Sequence, residues 1–164
     1  MAIEELGHTG FWVHDLDLMT RFYVEEVGLT LTDRDDDIGI VFLSSRPDVE
    51  HHELVLARGR NVPDDAKVTH QVSWRVDSIE TVLEYHRKFR EHGVKVQQEV
   101  THGNAIGIYF FDPEGNRNEI YLRIDRAVPQ PFRKTLNLDL PVPEIMQEME
   151  RLLHDGGEPY QPVT

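Results

Sequence analysis

His8-Thr9-Gly10-Phe11-Trp12-Val13-His14-Asp15 and His70-Gln71-Val72-Ser73-Trp74-Arg75-Val76-Asp77 are two versions of one segment. Each opens on a histidine, with a tryptophan four residues on and an aspartate seven residues on. A segment that returns in this way signals a duplicated structural unit. Glu119 lies late in the second copy. If the copies pack face to face, the two leading imidazoles and this carboxylate can meet at one metal ion.

Working outward from the first copy, residues 5–13 suit a strand, and Leu16, Met19, Phe22, Tyr23 and Val27 then recur at helical spacing. Asp15 or Asp17 can cap that helix and Gly28 can stop it. Residues 29–34, 38–44 and 52–57 are short runs rich in Val, Ile, Leu and Phe, separated by Asp, Pro and Ser clusters, so they read as strands. A polar link at 58–67 leads into the same order again: strand 70–76, helix 78–92 with Gly93 as its stop, and strands 94–100, 106–111 and 119–124. Asp112-Pro113-Glu114-Gly115-Asn116 is the turn joining the last two.

The expected fold class is therefore α+β, with two βαβββ modules, about 5–57 and 68–124, forming a cupped mixed sheet in a domain of residues 1–126. Beyond it, Pro129, Pro131, Pro141 and Pro143 interrupt regular structure. The remaining residues, 127–164, read as an extension with one helix at 144–154, whose Ile145, Met146, Met149, Leu152 and Leu153 form one apolar stripe suited to covering the core or to a dimer contact. Residues 156–164 are expected to be loose.

Composition narrows the function. A formal charge of -13, from 30 acidic against 17 basic residues, repels phosphate backbones and anionic membranes, which argues against nucleic acid or a membrane surface as partner. No apolar run approaches the roughly 20 residues that cross a bilayer, and Met1-Ala2-Ile3-Glu4-Glu5 lacks a secretory layout, so a cytoplasmic protein is expected. The chain has no cysteine, which leaves nitrogen and oxygen donors for any metal and makes its nine histidines the useful inventory. Two histidines and one carboxylate leave three adjacent positions open on an octahedral ion; they suit iron(II), and also manganese, zinc or nickel.

His8 with Gly28-Leu29, His70 with Val76-Asp77, and Asp112-Pro113-Glu114-Gly115-Asn116-Arg117-Asn118-Glu119-Ile120-Tyr121 resemble the vicinal oxygen chelate superfamily over about residues 5–124. Within it the chain is most similar to single-domain type I extradiol ring-cleavage dioxygenases. That resemblance implies His8, His70 and Glu119 as ligands of iron(II), with manganese(II) as the other metal of the set. It implies a catechol-type substrate cleaved with dioxygen. His52 stands where these enzymes carry an acid/base histidine, Tyr109 precedes the carboxylate ligand by ten residues, and His102 stands in the loop before the strand of Tyr109. The resemblance thus implies His52, Tyr109 and His102 as catalytic residues.

Two other readings stay open on the sequence. A glyoxalase-type metal-dependent lyase or isomerase carries a glutamate near the place of His52, and a shift of one residue would supply Glu53. Register decides, because neighbours on a strand face opposite sides; it also decides between His51 and His52. The second alternative is a non-enzymatic protein that sequesters a small molecule or drug, which needs no metal triad. A homo-oligomer, dimer or higher, is expected, since the fold often dimerises.

Overall fold

The structure is a computed structural model and describes residues 3–155, so the tail expected to be loose lies outside the described residues. It forms two compact units, Met1–Lys67 with Asp112–Gly115, and Val68–Phe111 with Asn116–Thr164. No helix among the described residues is long and apolar enough to cross a membrane.

The first unit contains β1 (Thr9–Val13), α1 (Leu16–Glu25), β2 (Thr30–Asp35), β3 (Ile40–Ser44) and β4 (Leu54–Arg58), in a sheet of order β1-β4-β3-β2. The β1–β4 pair is parallel and the others antiparallel. Asp15 caps α1 by accepting a 2.9 Å hydrogen bond from the Leu18 backbone N–H. Alternation puts Phe11, Val13, Val41, Leu43, Leu54 and Leu56 in the core with Leu16, Met19 and Tyr23 of α1. Each such fully buried side chain contributes about 1.5–3 kcal/mol relative to exposure.

The turn Asp112–Gly115 completes this unit. Its Glu114 is 3% exposed, and its carboxylate accepts from the backbone N–H groups of His14 at 2.8 Å and Asp15 at 2.8 Å, at the entry to α1. Arg60 donates to the Glu114 carbonyl at 3.0 Å and stands 3.7 Å from its carboxylate. Tyr23 donates to Asp112 at 2.8 Å. Gly115 has φ +79°, and a Cβ there would lie 2.5 Å from the Asp64 carbonyl oxygen, so both backbone and space require glycine.

The second unit contains β5 (Val72–Val76), α2 (Ile79–His92), β6 (Val96–Thr101), β7 (Ala105–Phe111), β8 (Arg117–Arg123), β9 (Lys134–Thr135) and α3 (Val142–Asp155). Its sheet runs β5-β8-β7-β6-β9 and is also mixed, with β5–β8 parallel. Ser78 caps α2 at one end and Gly93, at φ 68°, ends it at the other. Val82 and Phe89 of α2 are fully buried, as are Ile106, Ile108 and Phe110 of β7, and the Phe89 and Phe110 rings lie 4.5 Å apart. The opposite face of this sheet carries the polar residues of the candidate site.

The structure adds three features to the sequence reading. β9 is a two-residue strand in the proline-rich extension, paired with β6, too short to show any periodicity. His86, a polar residue on α2, is 6% exposed and bonds Glu99 at 2.6 Å and Asp139 at 3.1 Å. The apolar stripe of α3 is used inside the chain, with Ile145, Met149 and Leu152 buried, and so covers the core, one of the two roles expected for it.

Candidate active site

In the first unit His8 immediately precedes β1 and is exposed, while His52 stands two residues before β4 and is half-buried. Parallel pairing sets Thr9 opposite Leu54, and the Thr9 N–H donates to the Glu53 carbonyl at 3.0 Å. The strand entries are thereby side by side, and the His8 and His52 ring centroids lie 4.6 Å apart. Phe42 of β3 packs 5.0 Å from the His52 ring and 5.4 Å from that of His51. His51 and His52 share a 2.9 Å hydrogen bond between their Nδ1 atoms, so one donates while the other accepts. Burial, then the neighbouring His8 and His51, push the His52 imidazole below its ordinary value. It is a neutral base at neutral pH.

Glu53 is turned elsewhere. Its Oε2 accepts from the Ser45 N–H at 2.8 Å and the Ser45 hydroxyl at 2.5 Å, and its Oε1 from Arg46 at 3.0 and 3.1 Å. Burial raises its carboxyl, but the Ser45 and Arg46 hydrogen bonds outweigh that and hold it below the usual range.

In the second unit, register places Glu119 of β8 opposite Tyr109 of β7 and Ser73 of β5. The carboxylate is 6% exposed. Its Oε2 accepts from Ser73 Oγ at 2.6 Å and Gln71 Nε2 at 3.3 Å. The Gln71 amide is held in that orientation because its oxygen accepts from Arg117 at 2.6 Å. The Tyr109 phenol lies beside the same carboxylate; burial, then the charge of Glu119, push it up to about 12, so it stays protonated.

His102 completes this group. Its Nε2 is 3.1 Å from the Tyr109 hydroxyl and 3.9 Å from Glu119 Oε1, and its Nδ1 is 2.9 Å from the Phe132 carbonyl. A carbonyl only accepts, so Nδ1 carries a proton. His70 is exposed, in the segment before β5 and next to Gln71.

The structure thus brings His8 to His52, and Tyr109 to His102 and Glu119. His8 belongs to the first unit, and His70 and Glu119 to the second. Among the described residues, no group of three or more His, Asp or Glu side chains is gathered so as to hold a metal ion. The donor chemistry nonetheless fits a divalent cation. No lysine or arginine forms an ion pair with the buried Glu119 among the described residues, and buried carboxylates are ordinarily paired or bound to metal. Gly107 makes the space, since a Cβ there would lie 2.6 Å from Glu119 Oε1.

The sequence reading missed Ser73, Gln71, Arg117 and Gly107 as the residues that hold this carboxylate. Gly107 carried a signal, because a lone glycine inside an apolar strand marks a close approach. The other three depend on cross-strand register and carried none.

The family model of the glyoxalase/bleomycin resistance protein/dioxygenase superfamily matches residues 5–120. The chain belongs to that superfamily. A relative in this vicinal oxygen chelate group, biphenyl-2,3-diol 1,2-dioxygenase 3 of Rhodococcus globerulus, is 25% identical over an alignment of 131 residues that covers 76% of this chain and 66% of that protein, just under two thirds of its length. Among solved structures, a glyoxalase/dioxygenase from Nostoc punctiforme matches with a TM-score of 0.60 at 17% identity, covering 74% of this chain and 92% of that one. The fosfomycin resistance protein FosX from Listeria monocytogenes matches with a TM-score of 0.59 at 21% identity, covering 74% of this chain and 94% of that one. A variant of the latter was crystallised with Mn(II) and a dihydroxypropylphosphonic acid. These two likenesses show the fold. The superfamily includes dioxygenases, and its members bind small-molecule substrates and divalent metals.

Proposed function

We propose that the chain is an iron(II)-dependent extradiol dioxygenase that opens the ring of a catechol-type substrate with dioxygen, with His8, His70 and Glu119 as metal ligands and manganese(II) as the other metal the set accepts. The observation that carries this reading is the linked group His102, Tyr109 and Glu119, in which a protonated phenol lies against both a carboxylate and an imidazole. The likeness to a biphenyl-diol dioxygenase supports it. Against the glyoxalase-type alternative stands Glu53, whose two carboxylate oxygens are taken by Ser45 and Arg46 while His52 lies beside His8.

Iron(II) would supply a common point at which the two catechol oxygens and dioxygen meet. His52, a neutral base, takes the proton that a catechol hydroxyl releases and returns one to the oxygen-bearing fragment. Tyr109 donates a hydrogen bond to a substrate oxygen. His102, held by the Phe132 carbonyl, orients that phenol. Overall, one ring carbon–carbon bond beside the diol breaks, both oxygen atoms enter the product, and no outside reductant is consumed.

The test is an aerobic screen of catechols with iron-loaded protein, followed by product absorbance and by the mass gain of two oxygen atoms. Turnover of fosfomycin or of a methylglyoxal–glutathione adduct, with every catechol inert, would overturn the proposal.

A further inference from the structure

Resting on that reading, we infer that Gln130 is a positioning residue of the reaction: through a closed ring of hydrogen bonds it fixes the His102 imidazole with its proton on Nδ1 and its Nε2 toward Tyr109. The ring joins the extension beyond the repeats to the loop after β6. Gln130 Nε2 donates to the His102 carbonyl at 2.9 Å, Gln130 Oε1 accepts from the Phe132 N–H at 3.0 Å, and the Phe132 carbonyl lies 2.9 Å from His102 Nδ1. The amide has one orientation that works, because a carbonyl requires a donor and a backbone N–H an acceptor. The other neighbours of Gln130 Nε2, Asn104 Oδ1 and the Val128 carbonyl, each at 3.5 Å, are acceptors too.

Both arms of the ring are anchored. β9 pairs Lys134 with Thr101 and Thr135 with Val100, and the Leu136 N–H donates to the Glu99 carbonyl at 3.0 Å, which holds the extension just beyond Phe132. On the loop side the His102 N–H donates to the Ala105 carbonyl at 2.8 Å. Gly103 is packed so closely that a Cβ there would lie 2.8 Å from Leu153 of α3 and 2.9 Å from Val128. Gln130 is itself exposed, so burial does not account for its order; its side chain gives up rotamer freedom to make these bonds. With the proton on Nδ1, Nε2 of the neutral ring is an acceptor. It faces the Tyr109 hydroxyl at 3.1 Å, which gives the phenol proton a defined direction until a substrate oxygen takes it over. An imidazole free to turn, or to carry its proton on Nε2, would present a second donor to that phenol.

The first readout is the ring-nitrogen NMR spectrum of metal-free protein on the alkaline side of the ordinary imidazole range, with His102 assigned by its loss in His102→Gln. The expected result is one tautomer, protonated on Nδ1, in the wild type and a mixture of tautomers in Gln130→Ala. A wild-type ring protonated on Nε2, or an unaltered ring in Gln130→Ala, overturns the inference and leaves the proposed function standing. The second readout is catechol cleavage by the iron-loaded protein, where Gln130→Ala should lower kcat by about 3- to 10-fold with KM nearly unchanged. In the His102→Gln background the same change should cost nothing further, because Gln130 acts through that ring. Equal losses in both backgrounds overturn the inference. Gln130→Met, of similar length and without an amide, takes the place of the alanine variant should that one fail to fold. Catechols that stay inert while the spectra behave as expected overturn the proposed function and leave the positioning of His102 standing.

Discussion

Tyr109 and Glu119 face one another across the antiparallel pair β7–β8, and Gly107, two residues before Tyr109, leaves the space into which the carboxylate folds. Gly107→Ala would place a carbon 2.6 Å from Oε1, closer than van der Waals contact allows. The flexible carboxylate must then turn away from Ser73 and Tyr109. We expect the variant to fold with a loss of about 1–3 kcal/mol. Iron affinity, measured by metal analysis after equilibrium dialysis, should fall by about 10-fold or more. Undiminished affinity would remove Glu119 from the ligand set.

His52→Gln keeps a polar side chain beside His8 but cannot carry a proton at working pH. Metal content and anaerobic catechol binding should be retained, while ring opening in a single turnover slows by about two to four orders of magnitude. An unchanged rate would take His52 out of the chemistry.

Glu114→Ala tests the turn rather than the site. It would remove the acceptor of the His14 and Asp15 N–H groups and leave Arg60 without a buried carboxylate whose side chain, like that of Arg60, is 4% exposed. Unmatched buried groups of this kind cost about 3 kcal/mol. Urea unfolding should show the loss, and a change below about 0.5 kcal/mol would contradict the capping role.

Much of the fold was legible before any coordinates, because duplication and period both act locally. The repeat at His8 and His70 announced two βαβββ units, and the glycines at 28 and 93 marked the helix ends. What escaped depends on residues far apart in the chain. Glu114 serves N–H groups about a hundred positions away, and Glu53 is captured by Ser45 and Arg46 through the β3–β4 connection. His86 was legible in principle, since Val82, His86 and Phe89 occupy one helical stripe. Its polarity disguised that, and only the partners Glu99 and Asp139 explain its burial. The linked group of Tyr109, His102 and Glu119 could be suspected from a family likeness; its hydrogen bonds follow from register.

Acidification gives a separate prediction. Hydrogen bonds from His86, then Arg90, hold the Asp139 carboxyl below its ordinary value. A depressed folded value means that the stabilisation is complete above the unfolded value of about 3.9 and disappears as pH falls through the folded one. Hydrogen exchange around Leu136 and Leu138 should therefore quicken below about pH 4 in the wild type. In Asp139→Asn that acid-dependent step should be missing, and an identical profile in both proteins would exclude the contact as its source.

The first unit is assembled from two stretches of chain, the second of them only the four residues Asp112–Gly115. Gene halves severed in the link at 58–67 would therefore encode unequal fragments. The leading half would lack the plug for its own Arg60 and the anchor for α1, and the trailing half would carry both. Duplication made the two segments alike in spelling, yet this borrowed turn makes them non-exchangeable: swapping or deleting either one removes a part that the other's neighbourhood cannot supply.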